Sequence, residues 1–264
     1  MSVIDPRIIE AQQRQEIPRS VTVWAGSYEE GETVPLHSHE RAQLLYAVEG
    51  VMRIVTPNSV WTIPSQRALW IPPNVGHHSQ MMSKVEMRTL FVTPEAANRL
   101  GSECRAISVS RLLRELVLGL VEEPAEYPLQ GRGEHIAALI LLEISRAATQ
   151  SVEIPWPQDR RLQTVCQFVM NSPGVSHTID HLAAMAGAST RTLIRLFPKE
   201  TGLKYHQWVQ QVQLAEALCR LGRGEGIARI ASFLGYANPS AFSAMFKRNF
   251  GVTPNQYFQS KSDS

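Results

Sequence analysis

The chain has 264 residues, of which 44% are hydrophobic; this is enough for packed cores and excludes a wholly disordered chain. No apolar run approaches the ~18 residues of a membrane span, and the polar residues 1–19 lack the apolar stretch of a signal peptide. Cys104, Cys166 and Cys219 lie far apart without a CxxC pair, which indicates neither a zinc site nor a disulfide framework and favours a reducing cytoplasm.

The net charge of +2 hides an asymmetry between the two halves of the chain. Residues 1–156 carry 14 Lys and Arg against 18 Asp and Glu, a balance of −4. Residues 157–264 carry 12 against 6, a balance of +6. A basic half attracts phosphates and an acidic half repels them, so the C-terminal half is the candidate for binding nucleic acid.

Residues 20–95 have the pattern of short β-strands. Residues 43–48 and 51–55 are apolar runs separated by Gly50, and prolines punctuate the remainder. Residues 85–91 alternate, so that the odd-numbered side chains share one face of an extended segment. Short strands at this spacing predict a β-sandwich or small barrel.

From Ser110 the apolar spacing becomes that of helices. Two apolar helices are predicted, within residues 110–120 and 136–146, with Glu143 and Arg146 on the polar side of the second. They are more apolar than a surface pair requires. Two explanations for the additional apolar residues stay open: a self-association face, or packing on the β domain.

The predicted domain division follows from a change in composition near residue 150. Pro155 and Pro157 stand in a segment with few helix formers, which is typical of a linker. We therefore predict an N-terminal domain over residues 1–150, a linker over 151–159, and an all-helical domain over 160–264.

The helical half contains one pattern twice. Residues 182–189 and 230–238 each predict a helix, a tight turn and the start of another helix, and the turn glycines are Gly187 and Gly235. The second helices close at the glycines of positions 202 and 251. An ordinary antiparallel helix pair is the alternative for one copy, but two copies at matched offset favour paired helix-turn-helix units.

Local signals define the ends and the spacing of these units. Asp180 is predicted to cap the first helix, Ser189 and Asn238 to cap the two second helices, and Pro198 to bend or shorten the helix that contains it. Between the units a helix over about residues 205–221 spans about 24 Å. With turns and side chains added, it holds the units near one DNA turn apart, about 34 Å.

Both second helices present outward side chains suited to DNA. The predicted DNA-binding residues are Thr190, Arg191, Ile194, Arg195, Ser240, Ala241, Ser243, Ala244, Lys247 and Arg248. The first two arginines suit bidentate contacts with guanine, and the hydroxyl side chains suit donation to phosphates or base edges. Ile194 and Ala241 suit thymine methyl groups, whereas Lys247 and Arg248 suit phosphates. The first helix is thus expected to read bases directly and the second to contribute position and shape.

The C-terminal half resembles the AraC/XylS family of transcription regulators over about residues 160–260. The resemblance is carried by the two repeats and by residues 197–202 (FPKETG), 227–236 (IARIASFLGY) and 246–257 (FKRNFGVTPNQY). It implies a cytoplasmic activator or repressor that binds double-stranded promoter DNA, with RNA polymerase as a partner if it activates. By this resemblance the helices beginning after Ser189 and at Pro239 read the DNA.

Residues 20–95 resemble the two motifs of the cupin barrel. His37, His39 and the residue at position 43 match the first motif, and His77 stands at the histidine of the second. Position 43 is Gln43, a neutral and weaker ligand than the Glu of metal-binding cupins. Three alternatives stay open: a divalent metal on His37, His39 and His77, a metal-free pocket whose histidines bind a small molecule, or a barrel with packed histidines.

In AraC-like regulators a domain of this kind senses an effector and often carries the dimer contacts, so the resemblance implies both for this chain. The candidate effector-pocket residues are His37, His39, Gln43, Tyr46, Arg53, Trp61, Trp70 and His77. The expected fold class is α+β, with an N-terminal cupin or jelly-roll barrel, following helices, and a C-terminal all-α domain with two helix-turn-helix motifs.

The predicted function is sequence-specific DNA binding, controlled by a small-molecule effector in the barrel and without enzymatic activity. The runner-up is a metal-dependent, dioxygenase-like cupin enzyme fused to a helical interaction domain. That enzyme would hold stoichiometric iron or manganese and turn over a substrate. A third class, a non-specific architectural protein, would bind DNA without sequence preference.

Overall fold

The computed structural model describes residues 5–65, 67–149 and 153–259. These residues form two compact units. One contains the described residues up to 57 and those of 63–149; the other contains residues 58–62 and those from 153 onward. Residues 58–62 join the second unit because residues 153–155 pair with them as a short antiparallel strand, a grouping that the composition of the chain does not suggest.

The described residues from Val21 to Ser108 form antiparallel β-strands, as predicted for a sandwich or jelly-roll barrel, and residues 59–62 of the fifth strand belong to the second unit. The strands are β1 (Val21–Tyr28), β2 (Thr33–His37), β3 (Ala42–Glu49), β4 (Val51–Thr56), β5 (Ser59–Pro64), β6 (Arg67–Ile71), β7 (His77–Met81), β8 (Val85–Val92) and β9 (Arg105–Ser108). One sheet has the order β1-β8-β3-β6-β9. The other has the order β10-β5-β4-β7-β2, where β10 is Glu153–Pro155.

Four helices accompany these sheets. They are α1 (Pro6–Gln13), α2 (Pro94–Ala97), α3 (Arg111–Val121) and α4 (Arg132–Arg146). The two predicted apolar helices are confirmed as α3 and α4, and the hydroxyl of Ser110 caps α3 by accepting from the amide of Leu113 at 3.0 Å. Helix α1 lies in the polar N-terminal segment, where no apolar period signals a helix, and buries none of its side chains.

Helices α3 and α4 pack one face against the first sheet. Their buried residues Leu113, Val117, Ile140 and Ile144 join the apolar cluster of that sheet, and each such burial contributes about 1.5–3 kcal/mol. Leucines on other faces stay exposed: Leu112 at 52%, Leu139 at 44% and Leu142 at 49%. Packing on the β domain therefore accounts for one face of the helix pair and leaves three leucines uncovered.

Apart from residues 58–62 and β10, the described part of the C-terminal unit is helical, as predicted. Its helices are α5 (Arg160–Asn171), α6 (Ile179–Met185), α7 (Thr190–Thr201), α8 (Tyr205–Gly222), α9 (Ile227–Phe233), α10 (Pro239–Phe250) and α11 (Pro254–Gln259). The duplication is confirmed: α6 and α9 each have 7 residues, and α7 and α10 each have 12. Gly187 and Gly235 adopt φ of 62° and 77°, the left-handed conformation that these turns require and that glycine adopts without penalty.

Two expectations about the first helix-turn-helix unit, Asp180 as the cap of α6 and an early end of α7 at Pro198, are wrong. The residue that caps α6 is Thr178, whose hydroxyl accepts from the amide of His181; Asp180 lies inside the first turn. Pro198 does not end α7 early, because the helix continues to Thr201. Proline removes only its own amide donor, and the carbonyl of Pro198 still accepts from the amide of Gly202 at 3.0 Å.

The long connecting helix is confirmed as α8, which has 18 residues and spans about 27 Å. It buries Trp208, Val212, Ala215 and Leu218, the residues that the helical spacing places on one side. Helix α8 contacts both α7 and α9, so it joins the two helix-turn-helix units. None of the described helices combines the length and apolar character needed to cross a membrane.

Candidate functional site

The outward face of α7 carries the residues that are best suited to reading DNA. Leu193 and Phe197 are buried, whereas Arg191 and Arg195 are exposed and Ile194 is 57% exposed. This division follows from the helical period, which turns positions 193 and 197 inward. The hydroxyl of Ser189 caps the helix by accepting from the amide of Thr192 at 3.1 Å.

Thr190 differs in role from its sequence-based assignment. It is half-buried, and its hydroxyl donates to the carboxylate of Asp180. The hydroxyl proton that we expected Thr190 to donate to a phosphate or a base is therefore donated to Asp180. This hydrogen bond connects the start of α7 with the first turn of α6. The Thr190 hydroxyl keeps only acceptor capacity toward DNA.

Helix α10 presents a smaller and less polar surface. Asn238 caps the start of α10, because its side-chain oxygen accepts from the backbone amide of Ala241 at 2.8 Å. The buried side is formed by Phe242, Met245 and Phe246. The predicted DNA-binding residues Ser240, Ala241, Ala244, Lys247 and Arg248 are exposed, and Ser243 is half-buried. Lys247 and Arg248 lie in the last turn, the end of the helix that favours cations.

Other arginines of the same unit form ion pairs with carboxylates, whereas three cations on the outward faces of α7 and α10 do not. Arg161 pairs with Asp159, and Arg220 pairs with Glu216 at 2.8 Å. In the part of the chain that the structure describes, Arg191, Arg195 and Lys247 form no ion pair. Unpaired exposed cations give up no internal partner when they meet a phosphate or a base edge.

Lys247→Ala is expected to weaken binding to all duplexes alike, because a phosphate contact carries no sequence information. The slope of log K against log salt should become shallower by about 0.9, the value for one lost phosphate contact on B-DNA. Fluorescence anisotropy on specific and scrambled duplexes at several salt concentrations measures both effects. A loss confined to one sequence would contradict the phosphate role of Lys247.

The N-terminal unit brings three histidines together. His37 and His77 are register partners on β2 and β7, with ring centroids 4.4 Å apart, and His39 follows β2 with its ring 5.4 Å from that of His77. One ligand atom from each of the three rings lies within 4.8 Å of the others. Gln43 on β3 adds its amide oxygen 3.2 Å from Nε2 of His39.

All three rings are held in the same way. Each Nδ1 lies at hydrogen-bonding distance from a backbone carbonyl two residues away: His37 from Pro35 at 2.8 Å, His39 from Arg41 at 2.6 Å and His77 from Val75 at 3.0 Å. A carbonyl only accepts, so each Nδ1 carries a proton, and in a neutral ring Nε2 is then the acceptor. Burial lowers the pKa of His77 to about 4 and also lowers the pKa of His39, so both rings are neutral at pH 7.

The three histidines line a cavity of about 40 Å³ in the N-terminal unit. Of the predicted pocket residues, His37, His39, Gln43 and His77 line this cavity. Its apolar wall consists of Trp24, Tyr28, Leu45, Met87 and Phe91, and its remaining side is covered by Ile8, Ala11, Gln12 and Gln15 on and next to α1. No aspartate, glutamate, lysine or arginine lines the cavity.

The other four predicted pocket residues do not line this cavity. Tyr46 and Trp70 belong to the buried cluster under α3 and α4, because side chains alternate along β3 and Tyr46 therefore faces away from Gln43. Arg53 pairs in register with Gln80 on β7. Gln80 is next in sequence to Ser79, which lines the cavity, so Gln80 and its partner Arg53 lie on the opposite face of the sheet. Trp61 is buried on β5, away from the cavity.

Sequence reasoning missed the apolar wall and the covering helix. Part of the wall was signalled by the alternation of residues 85–91, since Met87, Thr89 and Phe91 share the inward face of β8. Combining that alternation with the histidine motif would have placed them beside the metal-ligand candidates. Helix α1 carries no comparable signal, because its segment is polar and has no apolar stripe.

Comparison with known proteins agrees with both halves of the structure. The profile of the helix-turn-helix domain matches residues 182–260, and that of the AraC-like ligand binding domain matches residues 25–142. The HTH-type transcriptional regulator NimR of Escherichia coli K12 is 32% identical over 225 residues, which cover 85% of this chain and 82% of NimR. The regulator RipA of Corynebacterium glutamicum is 29% identical over 44% of this chain and 35% of RipA.

ToxT of Vibrio cholerae O395 aligns over 93% of this chain and 99% of ToxT, with 13% identity and a TM-score of 0.40. The family follows from NimR, which is similar to this chain across both the cavity-bearing unit and the paired helix-turn-helix units. The chain belongs to the AraC family of helix-turn-helix transcriptional regulators.

Proposed function

We propose that this regulator binds specific double-stranded promoter DNA through α7 and α10 and that a small molecule in the N-terminal cavity controls its binding or activity. The observation that carries the proposal is the pair of helix-turn-helix units whose outward cations, Arg191, Arg195 and Lys247, have no internal carboxylate partner among the described residues. The protein acts in the cytoplasm, as an activator or a repressor, and catalyses no reaction.

The two reading helices divide the work. Arg191 and Arg195 on α7 contact guanine edges in the major groove, and Ile194 packs on a thymine methyl group. Helix α10 offers mostly small side chains, so Ser240, Ala241, Ser243 and Ala244 allow close approach while Lys247 and Arg248 fix the helix on phosphates. The operator therefore contains one half that is read in detail and another that is read mainly through its shape.

The effector is proposed to bind where His37, His39, Gln43 and His77 meet the apolar wall. A ligand switches a regulator only if it binds one arrangement of the protein better than another. A cavity of about 40 Å³ holds an ion or a water molecule and not a larger effector. Binding therefore requires the cavity to widen, which provides the two arrangements that a switch needs.

The proposed partners beyond DNA are a second copy of the chain and, if the protein activates, RNA polymerase. The exposed leucines of α3 and α4, Leu112, Leu139 and Leu142, supply an apolar face for self-association. A dimer would present four helix-turn-helix units to the operator, which lengthens the site that is read.

The test is a binding-site selection with the purified full-length chain on random duplexes, followed by anisotropy titrations at increasing salt. We expect enrichment of one motif, with Kd at least about a thousandfold lower than for a scrambled duplex and a steep salt dependence. Binding without an enriched motif would indicate an architectural protein. No binding at low salt, together with turnover by metal-loaded protein, would favour the cupin enzyme.

A further inference from the structure

The N-terminal unit has a second cavity, of about 190 Å³, which none of the three histidines lines. Its walls come from α1, from β1, and from the end of α3 with the turn that follows it. In the order β1-β8-β3-β6-β9, β1 stands at an edge of its sheet. Four consecutive residues of β1, 22–25, line the cavity, so it follows the open edge of the strand rather than one of its faces.

This open edge presents the backbone groups of Val23 and Ala25. The amide of Thr93 donates to the carbonyl of Ser20 at 3.0 Å, which continues the register between β1 and β8 by one residue pair. Alternate residues bond across an antiparallel pair, so the even-numbered residues of β1 bond to β8 and the odd-numbered ones turn amide and carbonyl outward. Val23 and Ala25 are the odd-numbered residues of β1 that line the cavity.

Side chains close the edge on either side of this stretch. The carbonyl of Ser27 accepts from the guanidinium of Arg7 at 2.8 Å, and the carbonyl of Val21 accepts from the hydroxyl of Tyr127 at 2.9 Å. Among the described residues, no such bond reaches the outward groups that lie between them. The two open positions are about 6.8 Å apart, and a short extended chain can pair with an edge of this length.

Glu10 and Arg14 place opposite charges along the same cavity. They are four residues apart in α1 and its C-terminal cap, a rise of about 6 Å. The indole of Trp24 donates to the carboxylate of Glu10 at 3.3 Å, and the hydroxyl of Thr22 donates to the carbonyl of Arg14 at 2.8 Å. Helix α1 therefore runs antiparallel to β1, with Arg14 beside the earlier part of the strand and Glu10 beside the later part.

The two charges are available to a ligand. In the described part of the chain, neither Glu10 nor Arg14 forms an ion pair, whereas Arg7 of the same helix pairs with Asp5 and Glu32. The remaining charged group of the lining, the Glu123 carboxylate, is paired with Arg132. The cavity thus offers one carboxylate and one guanidinium, with two outward peptide edges between them.

We propose that this cavity binds an extended dipeptide in its zwitterionic form, antiparallel to β1. The ammonium group of the ligand pairs with Glu10, its carboxylate pairs with Arg14, and its peptide group bonds to the outward backbone of β1. An extended chain of two residues spans up to about 7 Å, which matches the rise between the two charges, whereas one amino acid spans about half of that. The site is separate from the histidine cavity and does not rest on the proposed function.

The rest of the lining suits short apolar side chains on this ligand. Leu120, Val121 and Pro124 form an apolar wall beside the edge of β1, and a strand-paired ligand turns alternate side chains toward it. The volume is below the roughly 300–1,000 Å³ of clefts that hold drug-sized molecules, which limits the ligand to a short peptide.

The ligand class is tested by calorimetric titration of the full-length chain with alanyl-alanine. Its Kd should be at least about tenfold lower than that of free alanine, which cannot reach both charges, and than that of acetyl-alanyl-alanine amide, which carries neither. Equal binding of the capped dipeptide would indicate a groove for an internal strand of another protein and would overturn the zwitterion assignment. Absence of saturable binding by alanyl-alanine would overturn the site.

The location is tested with variants whose melting temperatures are compared with that of the parent. Glu10→Gln and Arg14→Gln should each weaken the binding of alanyl-alanine at least about tenfold, and the new amide at position 10 can still accept from Trp24. Gln13→Ala, at an exposed position of α1 outside the lining, is the matched control and should bind like the parent. Unchanged affinity in both glutamine variants would overturn the site.

The role of the backbone edge is tested with Ala25→Pro. The amide that proline removes points outward and does not bond to β8, so the sheet tolerates the change. Binding of alanyl-alanine should weaken by at least about 2- to 12-fold, the range for one lost hydrogen bond. An Ala25→Pro variant that melts like the parent and binds alanyl-alanine equally well would show that the ligand does not pair with β1, and would overturn the proposed binding mode.

Discussion

Arg195→Ala is expected to weaken binding to the selected duplex by about 1–3 kcal/mol, or about 5- to 150-fold in Kd. Arg195 is exposed on the outward face of α7, opposite the buried Leu193 and Phe197. A guanidinium in this place presents two parallel donors to the acceptors of guanine, which no other base pair offers in the same pattern. Preference at one operator position should therefore blur in a repeated binding-site selection.

Two control variants separate base reading from simple charge. Arg195→Lys keeps the charge but loses the bidentate geometry, so it should recover the salt dependence without recovering the base preference. Arg161→Ala removes a cation that is already paired with Asp159 and that lies on α5, and it should leave Kd within about threefold. If the Arg195→Ala variant selects an unchanged motif and loses the same affinity for all duplexes, Arg195 contacts a phosphate rather than a base.

Much of the fold was predictable because it depends on periodic patterns. The alternation of β8 and the helical spacing of α3 and α8 each place an apolar face on one side, and burial then follows. The duplicated turns were equally predictable, since Gly187 and Gly235 are needed where φ is positive. The histidine triad was found for the same local reason, as its members belong to motifs with regular spacing.

The errors arose where tertiary contacts decide between local alternatives. Asp180 and Thr178 are both good helix caps, and the choice of Thr178 leaves Asp180 free to accept from Thr190. Tyr46 was assigned to the cavity from its residue type, although its parity along β3 turns it toward α3 and α4. Parity can be counted once Gln43 is taken as inward, so this error was avoidable. The position of α1 could not be predicted, because a polar helix has no apolar stripe to indicate where it packs.

The junction between the two helix-turn-helix units also depends on tertiary contact. Gly174 lies in the segment between α5 and α6, and its backbone approaches that of Phe233 and Leu234 at the end of α9. Next to it, the side-chain amide of Gln213 on α8 donates to the carbonyls of both Pro173 and Leu234 at 3.4 Å. This junction holds α9 and α10 against the first helix-turn-helix unit, and under the proposed function it thereby sets where α10 meets the DNA.

Gly174→Ala is expected to destabilise the C-terminal unit by about 3 kcal/mol, the upper end of the cost of overpacking. A Cβ at this position would lie 1.7 Å from the carbonyl oxygen of Phe233, and because that atom belongs to the backbone no rotamer change relieves the clash. In a unit of about 100 residues this corresponds to a fall in Tm on the order of 10 °C or more, measurable by calorimetry. DNA affinity should fall as well, since the two reading helices can no longer keep their spacing.

The matched control is Gly226→Ala, in the same unit at the start of α9. Its φ is −69°, and nothing lies within 4 Å of the added Cβ, so its effect should stay within about 1 kcal/mol. If Gly174→Ala melts like the parent while its selected motif is unchanged, the backbone approach at Phe233 is not what holds the two units in register. If it melts early and retains contacts only to the half-site of α7, the junction sets the spacing with which the regulator reads its operator.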